Sequence, residues 1–210
     1  MRKVLIVMLI MAFCGMVTGQ ETDKSTKLDE RVRSFLKSHK NEWRDMNISE
    51  SDGQALYDLI IENKYTRAVE IGTSTGRSAI WIAWALSKTG GKLITIEINE
   101  RRYNIALENF REAGLTDYID ARLADAHELV PRLKGPFDFV FMDADKGWYK
   151  RYFESLAPKM EQGGAITAHN ALNRYISGIR EFIDYISGLD SFETEIIRSS
   201  SSGISVSIKK

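Results

Sequence analysis

The stretch Arg67-Ala68-Val69-Glu70-Ile71-Gly72-Thr73-Ser74-Thr75-Gly76 decides the fold. A short, mostly apolar strand runs into a turn with a glycine at each end, and Ala79, Ile80, Ile82, Ala83 and Leu86 then recur at the spacing of a buried helix. Strand, glycine turn and helix make the unit from which parallel sheets are built. The unit repeats downstream. Leu93 to Ile98 reads as a second strand, and the helix after it, predicted to bury Tyr103, Ala106, Leu107 and Phe110, stops at Gly114. Further strands are expected at Ile119 to Leu123, Phe137 to Met142 and Ala165 to Ala168, with helices between them. Phe192 to Ile197, the turn-rich Ser199 to Gly203 and Ile204 to Ile208 close the chain as an antiparallel hairpin. The expectation is an α/β fold: a doubly wound, mostly parallel seven-stranded sheet with helices on both faces and a C-terminal antiparallel hairpin.

Upstream of this core, Thr26-Lys27-Leu28-Asp29 has capping-box spacing, and Leu28, Val32, Phe35 and Leu36 predict an amphipathic helix to about Ser38. A second helix is expected from Ser49, carrying Leu56, Leu59 and Ile60. The first 19 residues read differently. Arg2 and Lys3 precede an apolar run from Val4 to Val17, about 14 residues long and short of the ~20 that span a bilayer, with Gly19 at a cleavage position. Residues 1–19 are therefore expected to be a removable export signal, 20–25 a loose tail and 26–210 one domain. That places the protein in the periplasm or outside the cell with no stable membrane anchor, or in the cytoplasm if the apolar run is not a signal. The single cysteine, Cys14, lies inside the signal, so the exported part has no disulfide.

The 210 residues carry 29 basic and 29 acidic side chains, and without residues 1–19 the counts are 27 and 29. No global field draws the protein to nucleic acid or anionic lipid. Chemistry is expected at the carboxyl ends of the strands. The turn after Glu70 lacks the three glycines of a dinucleotide fingerprint, and an acid in front of it would repel a pyrophosphate; Glu70 suits a cationic ligand. Glu97, at the end of the second strand, is placed to accept both hydroxyls of a ribose. Phe139-Val140-Phe141-Met142-Asp143-Ala144-Asp145-Lys146 delivers two carboxylates and a lysine to a strand end, and Gly163-Gly164-Ala165-Ile166-Thr167-Ala168-His169-Asn170 brings an imidazole and an amide to the next. Asp143, His169 and Asn170 form a mixed oxygen and nitrogen set that suits a divalent metal, or else a helix cap and a satisfied polar pair.

Taken together, the run Ala68 to Ile82, Glu97, the Asp143 to Lys146 block with Tyr149 and Tyr152, and the Gly-Gly strand ending in His169-Asn170 resemble the cation-dependent class I O-methyltransferases, the catechol and caffeoyl-CoA O-methyltransferase family, over residues 30–210. The resemblance implies that S-adenosylmethionine contacts the backbone near Ile48 and, around its amino acid part, Glu70, Gly72, Thr73 and Ser78, with Glu97 on the ribose, Ala126 by the adenine, and Asp145 and Tyr152 completing the pocket. It places Asp143, His169 and Asn170 at metal positions, Lys146 at the position of the base, and suggests a homodimer. Two departures stand out. Arg77 replaces an aromatic residue, with little expected consequence, and His169 replaces an aspartate, which leaves open whether the ion is magnesium or, given the imidazole, manganese or another transition metal, and whether an ion is required. The implied reaction is methyl transfer to a hydroxyl of a small catechol-like phenolic. Methylation of a hydroxylated nucleoside in RNA and a non-catalytic cofactor-binding module are the alternatives; near-neutral charge and the export signal count against the first.

Overall fold

In a computed structural model, which describes residues 24–43 and 46–210, the strand and turn that open the core are β1 (Arg67–Ile71) and the loop into α3 (Arg77–Thr89). The export signal and residues 20–23 of the expected tail lie outside the described residues. Ahead of β1 come α1 (24–38) and α2 (Glu50–Asn63). After α3 the order is β2 (Lys92–Glu97), α4 (Glu100–Ala113), β3 (Ile119–Leu123), α5 (Ala126–Leu129), β4 (Phe137–Met142), α6 (Tyr149–Leu156), β5 (Met160–His169), α7 (Ser177–Ser187), β6 (Phe192–Ile197) and β7 (Ile204–Lys209). The sheet runs β3-β2-β1-β4-β5-β7-β6. The first five strands pair in parallel, and β7 pairs antiparallel with both β5 and β6. Order reverses between β1 and β4, the switch point at whose carboxyl end such sheets open a crevice.

Several boundaries differ from the sequence reading. Lys24 and Ser25 are helical rather than part of a tail, and Lys88 on α3 reaches Ser25 Oγ at 2.8 Å. Asp29 serves no capping box; it accepts from Trp84 Nε1 at 2.7 Å and pairs with Lys88. β2 stops at Glu97, since Asn99 turns to cap α4 and leaves Ile98 68% exposed. Leu107 is 40% exposed, one residue off the buried stripe of Ala106, Phe110 and Ala113. β5 begins at Met160, which pairs with Phe137 across a register shift. β7 runs one residue further, to Lys209.

Two apolar layers enclose the sheet. Phe139 and Phe141 of β4 face α2 and α3, packing with Ile60, Ile80 and Leu86, while Val140 and Met142 face the opposite layer with Tyr149, Phe153 and Phe182. Each fully buried side chain of this kind contributes ~1.5–3 kcal/mol. α2 approaches α3 closely at Gly53, where a Cβ would lie 2.3 Å from Trp81 Cδ1. Among the described residues no helix is long and apolar enough to cross a membrane.

Candidate functional site

Strand parity assembles the site. Successive side chains alternate between faces, and Val69, Ile71, Ile96, Val140, Met142, Ile166 and Ala168 occupy the α6/α7 layer. Glu70, Glu97 and His169 therefore point to the face that carries α2 and α3, as does Asp143, one step past Met142. At the strand ends a cleft of about 590 Å³ is lined by Gly72, Glu97, Asp143, Lys146, His169 and Asn170. A smaller recess of about 140 Å³ adjoins it beneath Ala126, His127, Asp145 and Tyr152.

The β1–β2 side is built of carboxylates and small donors. Glu97 accepts from the backbone N–H of Ser74 at 2.7 Å on one oxygen and from that of Asn99 at 2.8 Å on the other. Each oxygen keeps a second lone pair, so the group is fixed in place and can accept two hydroxyls. Gly72, at φ 97°, lets the turn approach β4: a Cβ there would stand 2.7 Å from the carbonyl oxygen of Asp143. Glu70 lies beneath this turn at 0% exposure and does not line the cleft. Its cross-strand neighbour is Thr95, whose hydroxyl donates to Oε2 at 2.5 Å, and Ser78 adds a second hydroxyl; Oε1 has no partner. Burial pushes the Glu70 carboxyl up to about 8 against the pull of those two hydroxyls, with the charges of Asp143 and Glu97 adding to the rise.

The β4–β5 side holds built-in cations. Asp143 Oδ1 takes the Lys146 ammonium at 2.5 Å, and Oδ2 faces His169 Nδ1 at 3.3 Å. The other imidazole nitrogen, Nε2, is 3.2 Å from Asp52 Oδ2. Burial alone would lower the His169 pKa, but hydrogen bonds to Asp143 and Asp52, with their charges, raise it to about 9. Asp52 is held below the usual carboxylate range: burial opposes this, and bonds from His169, Ser199, Ser49 and Ser200 outweigh it. Among the described residues no three His, Cys, Asp or Glu side chains form a metal centre. Asp143 and His169 nonetheless fit one as a pair, because ligands ~2.1 Å from an ion stand about 3.0–3.4 Å apart and Oδ2 to Nδ1 is 3.3 Å. Asn170, at φ 62°, lines the same cleft with an amide oxygen to offer.

Of the residues expected from the sequence, Gly72, Glu97, Asp143, Lys146, His169 and Asn170 converge on the main cleft, and Ala126, Asp145 and Tyr152 on the recess. Thr73 turns inward, bonded to Thr95 through its hydroxyl and to the Ile96 carbonyl through its N–H. Ser78 is likewise engaged beneath the turn by Glu70. Ile48 is buried in the core, and it is Met46 and Asn47 beside it that line the cleft. Arg77 does more than the sequence implies: it donates to the Ile48 carbonyl at 2.8 Å and lies over Trp43, tying the segment ahead of α2 to the start of α3. Two residues escape the sequence reading. His127 stacks on Trp148 with centroids 3.8 Å apart at the recess, one position past Ala126, where adjacency could have flagged it. Asp52 carries only a helix-start signal, since its partner His169 is 117 residues away.

A sheet of this order, with a cleft at its switch point and a fixed carboxylate at the end of β2, places the chain among doubly wound α/β proteins, whose ligands sit in that crevice. A family model described as O-methyltransferase matches residues 19–177, and the chain belongs to that family. It is 35% identical over 131 residues to a catechol O-methyltransferase of Niastella koreensis, covering 60% of this chain and 59% of the relative. It is 35% identical over 138 residues to caffeoyl-CoA O-methyltransferase 1 of Eucalyptus globulus, covering 63% and 56%. The matches thus span less than two thirds of these relatives. Among solved structures, an O-methyltransferase from Bacillus cereus in complex with SAH superposes with a TM-score of 0.73 at 26% identity, covering 88% of this chain and 91% of that one. The Streptomyces achromogenes O-methyltransferase of tomaymycin synthesis, in complex with SAM, gives 0.73 at 25% identity, covering 86% and 90%.

Proposed function

We propose that the protein is an S-adenosylmethionine-dependent O-methyltransferase that methylates a hydroxyl of a small catechol-like phenolic with the help of a divalent ion. The observation that carries this reading is the convergence, on one sheet face, of the fixed Glu97 carboxylate and the Asp143, Lys146, His169 and Asn170 cluster around one cleft. The relatives' names point to acceptors of the catechol and caffeoyl-CoA kind.

When bound, the sulfonium supplies an electrophilic methyl group, and a divalent ion supplies the positive charge that lets a phenol of pKa ~10 exist as its anion near neutral pH. The chain's own residues do the rest. Glu97 accepts the ribose hydroxyls, and Gly72 keeps the turn low enough for close backbone approach. Ala126, His127 and Tyr152 wall the recess for the base. Asp143, His169 and Asn170 would hold the ion, and Lys146 would take the phenolic proton once its own ammonium has given one up to water, or, kept charged by Asp143, would hold the oxyanion left when the proton goes to solvent. Fixing both reactants in one cleft contributes to rate by orientation. Imidazole in place of a carboxylate favours manganese, iron, cobalt, nickel or zinc over magnesium.

The test is methyl transfer to a catechol panel across metals, with titration calorimetry for the cofactor. Turnover should be higher with one of the imidazole-accepting ions than with magnesium, and should vanish in chelator; His169→Asp should shift preference back to magnesium. Full turnover in chelator would discard the metal. Cofactor binding without any methyl transfer would favour a non-catalytic module, and methylation of RNA alone would favour the nucleoside reading. Export of the enzyme is part of this proposal, and mass spectrometry of protein from its host should find Gln20 at the mature N-terminus; an intact Met1 would overturn it.

A further inference from the structure

Asp52 has no place in the contacts set out for cofactor or acceptor, yet it is 1% exposed. Its Oδ1 accepts from Ser199 Oγ at 2.6 Å, its Oδ2 accepts from Ser49 Oγ at 2.8 Å, and the same Oδ2 stands 3.2 Å from His169 Nε2. The partners come from the start of α2, the end of β5 and the β6–β7 loop. Capping α2 requires none of this, because the Ser49 hydroxyl already accepts from the Asp52 N–H at 3.1 Å. An ionised carboxylate only accepts. Nε2 can therefore donate to Asp52, while Nδ1, 3.3 Å from the Asp143 oxygen, gives up its proton when an ion is bound beside Asp143. The tight seat of Gly53 on Trp81 fixes the first turn of α2 and with it the Asp52 carboxylate.

We propose that Asp52 is the positioning residue of the metal site: through His169 Nε2 it aims Nδ1 at a divalent ion held beside Asp143 and Asn170, and so favours an ion that accepts imidazole. The inference rests on the metal-assisted reading above. A carboxylate behind a ligating imidazole fixes the ring and strengthens it as a donor, and its loss costs 10–100-fold in metal affinity. Ser199 extends the support to the C-terminal hairpin, so a residue of that loop acts on the metal at second hand.

The experiment titrates Co²⁺ into the full chain saturated with S-adenosylhomocysteine, by calorimetry and by visible absorption. Asp52→Asn should weaken Co²⁺ about 10–100-fold and alter its absorption band, with S-adenosylhomocysteine affinity within about twofold of the starting protein. Excess Co²⁺ should restore turnover, which a collapsed α2 would not allow. Because Asp52→Asn can disturb folding, Ser199→Ala provides a second reading from a loop, with a several-fold weaker site expected. Wild-type Co²⁺ affinity and spectrum in folded Asp52→Asn would overturn the role of Asp52 alone. Failure of the unmutated protein to take up Co²⁺, Mn²⁺ or Mg²⁺, with turnover in chelator, would overturn the metal-assisted reading and this inference together.

Discussion

On the β1–β2 side of the cleft, Glu70 and Glu97 meet only hydroxyls and backbone amides, whereas on the β4–β5 side Asp143 meets Lys146 and His169, and Asp52 meets His169. The physical states differ accordingly. Burial raises the Glu70 carboxyl, so its charged form is costly until something positive comes near, while Asp52 is held ionised by its donors. One half is suited to receiving a ligand that brings its own positive charge, as a sulfonium with an α-amino group does. The other carries Lys146 beside the residues that would hold an ion, which suits it to an acceptor that becomes an anion. Separate duties on the two halves predict separable mutant phenotypes.

The largest effect should come from Lys146. Lys146→Met removes the ammonium that faces Asp143 in the acceptor half, and should lower kcat about 10²- to 10⁴-fold with cofactor affinity within about twofold; comparable losses in both would break the division of the cleft. Next comes Glu97→Ala. Charge-assisted hydrogen bonds contribute about 1.5–3 kcal/mol each, so calorimetry should show S-adenosylmethionine binding at least about tenfold weaker in a protein that still folds. Unchanged affinity would remove the ribose assignment.

The smallest effect is on stability and sharpens the comparison most. The Glu70 carboxyl moves from 4.5 to about 8 on folding. A folded pKa above the unfolded one gives a stability contribution that is fully present below 4.5 and lost as pH rises through about 8. The cofactor-free protein should therefore lose Tm between pH 5 and pH 8.5, and Glu70→Gln, neutral at every pH, should recover most of that loss at pH 8.5. A decline of equal size in Glu70→Gln would show that its source lies elsewhere.

Much of the fold was legible because it depends on local periodicity. β1, β3, β4 and β6 have the bounds their apolar runs and glycine turns predict, and Gly114 ends α4 as its position implied. Strand ends that depend on pairing, such as Met160 against Phe137, were not legible, since a partner strand rather than the local pattern extends β5. The same division runs through the site. Glu97, Asp143, Lys146, His169 and Asn170 could be named from sequence because each sits at or just past a strand's carboxyl end, where the doubly wound topology opens its crevice. Thr73 and Ile48 could be named but not aimed, because neighbouring strands and helices decide whether such a side chain faces the cleft or the core.

What the sequence by itself determined was the alternation of strand and helix, the glycine turn at Gly72 and the chemical types delivered to the strand ends, all set by spacings of a few residues. What only the tertiary structure decided was the company each group keeps: Asp52 against His169 from 117 residues away, Arg77 on the Ile48 carbonyl, and Glu70 enclosed beneath the turn with one oxygen unpartnered. Hydrogen bonds and burial are set by distance in space, and the packing of α2 and α3 on the sheet creates neighbours that no local pattern contains.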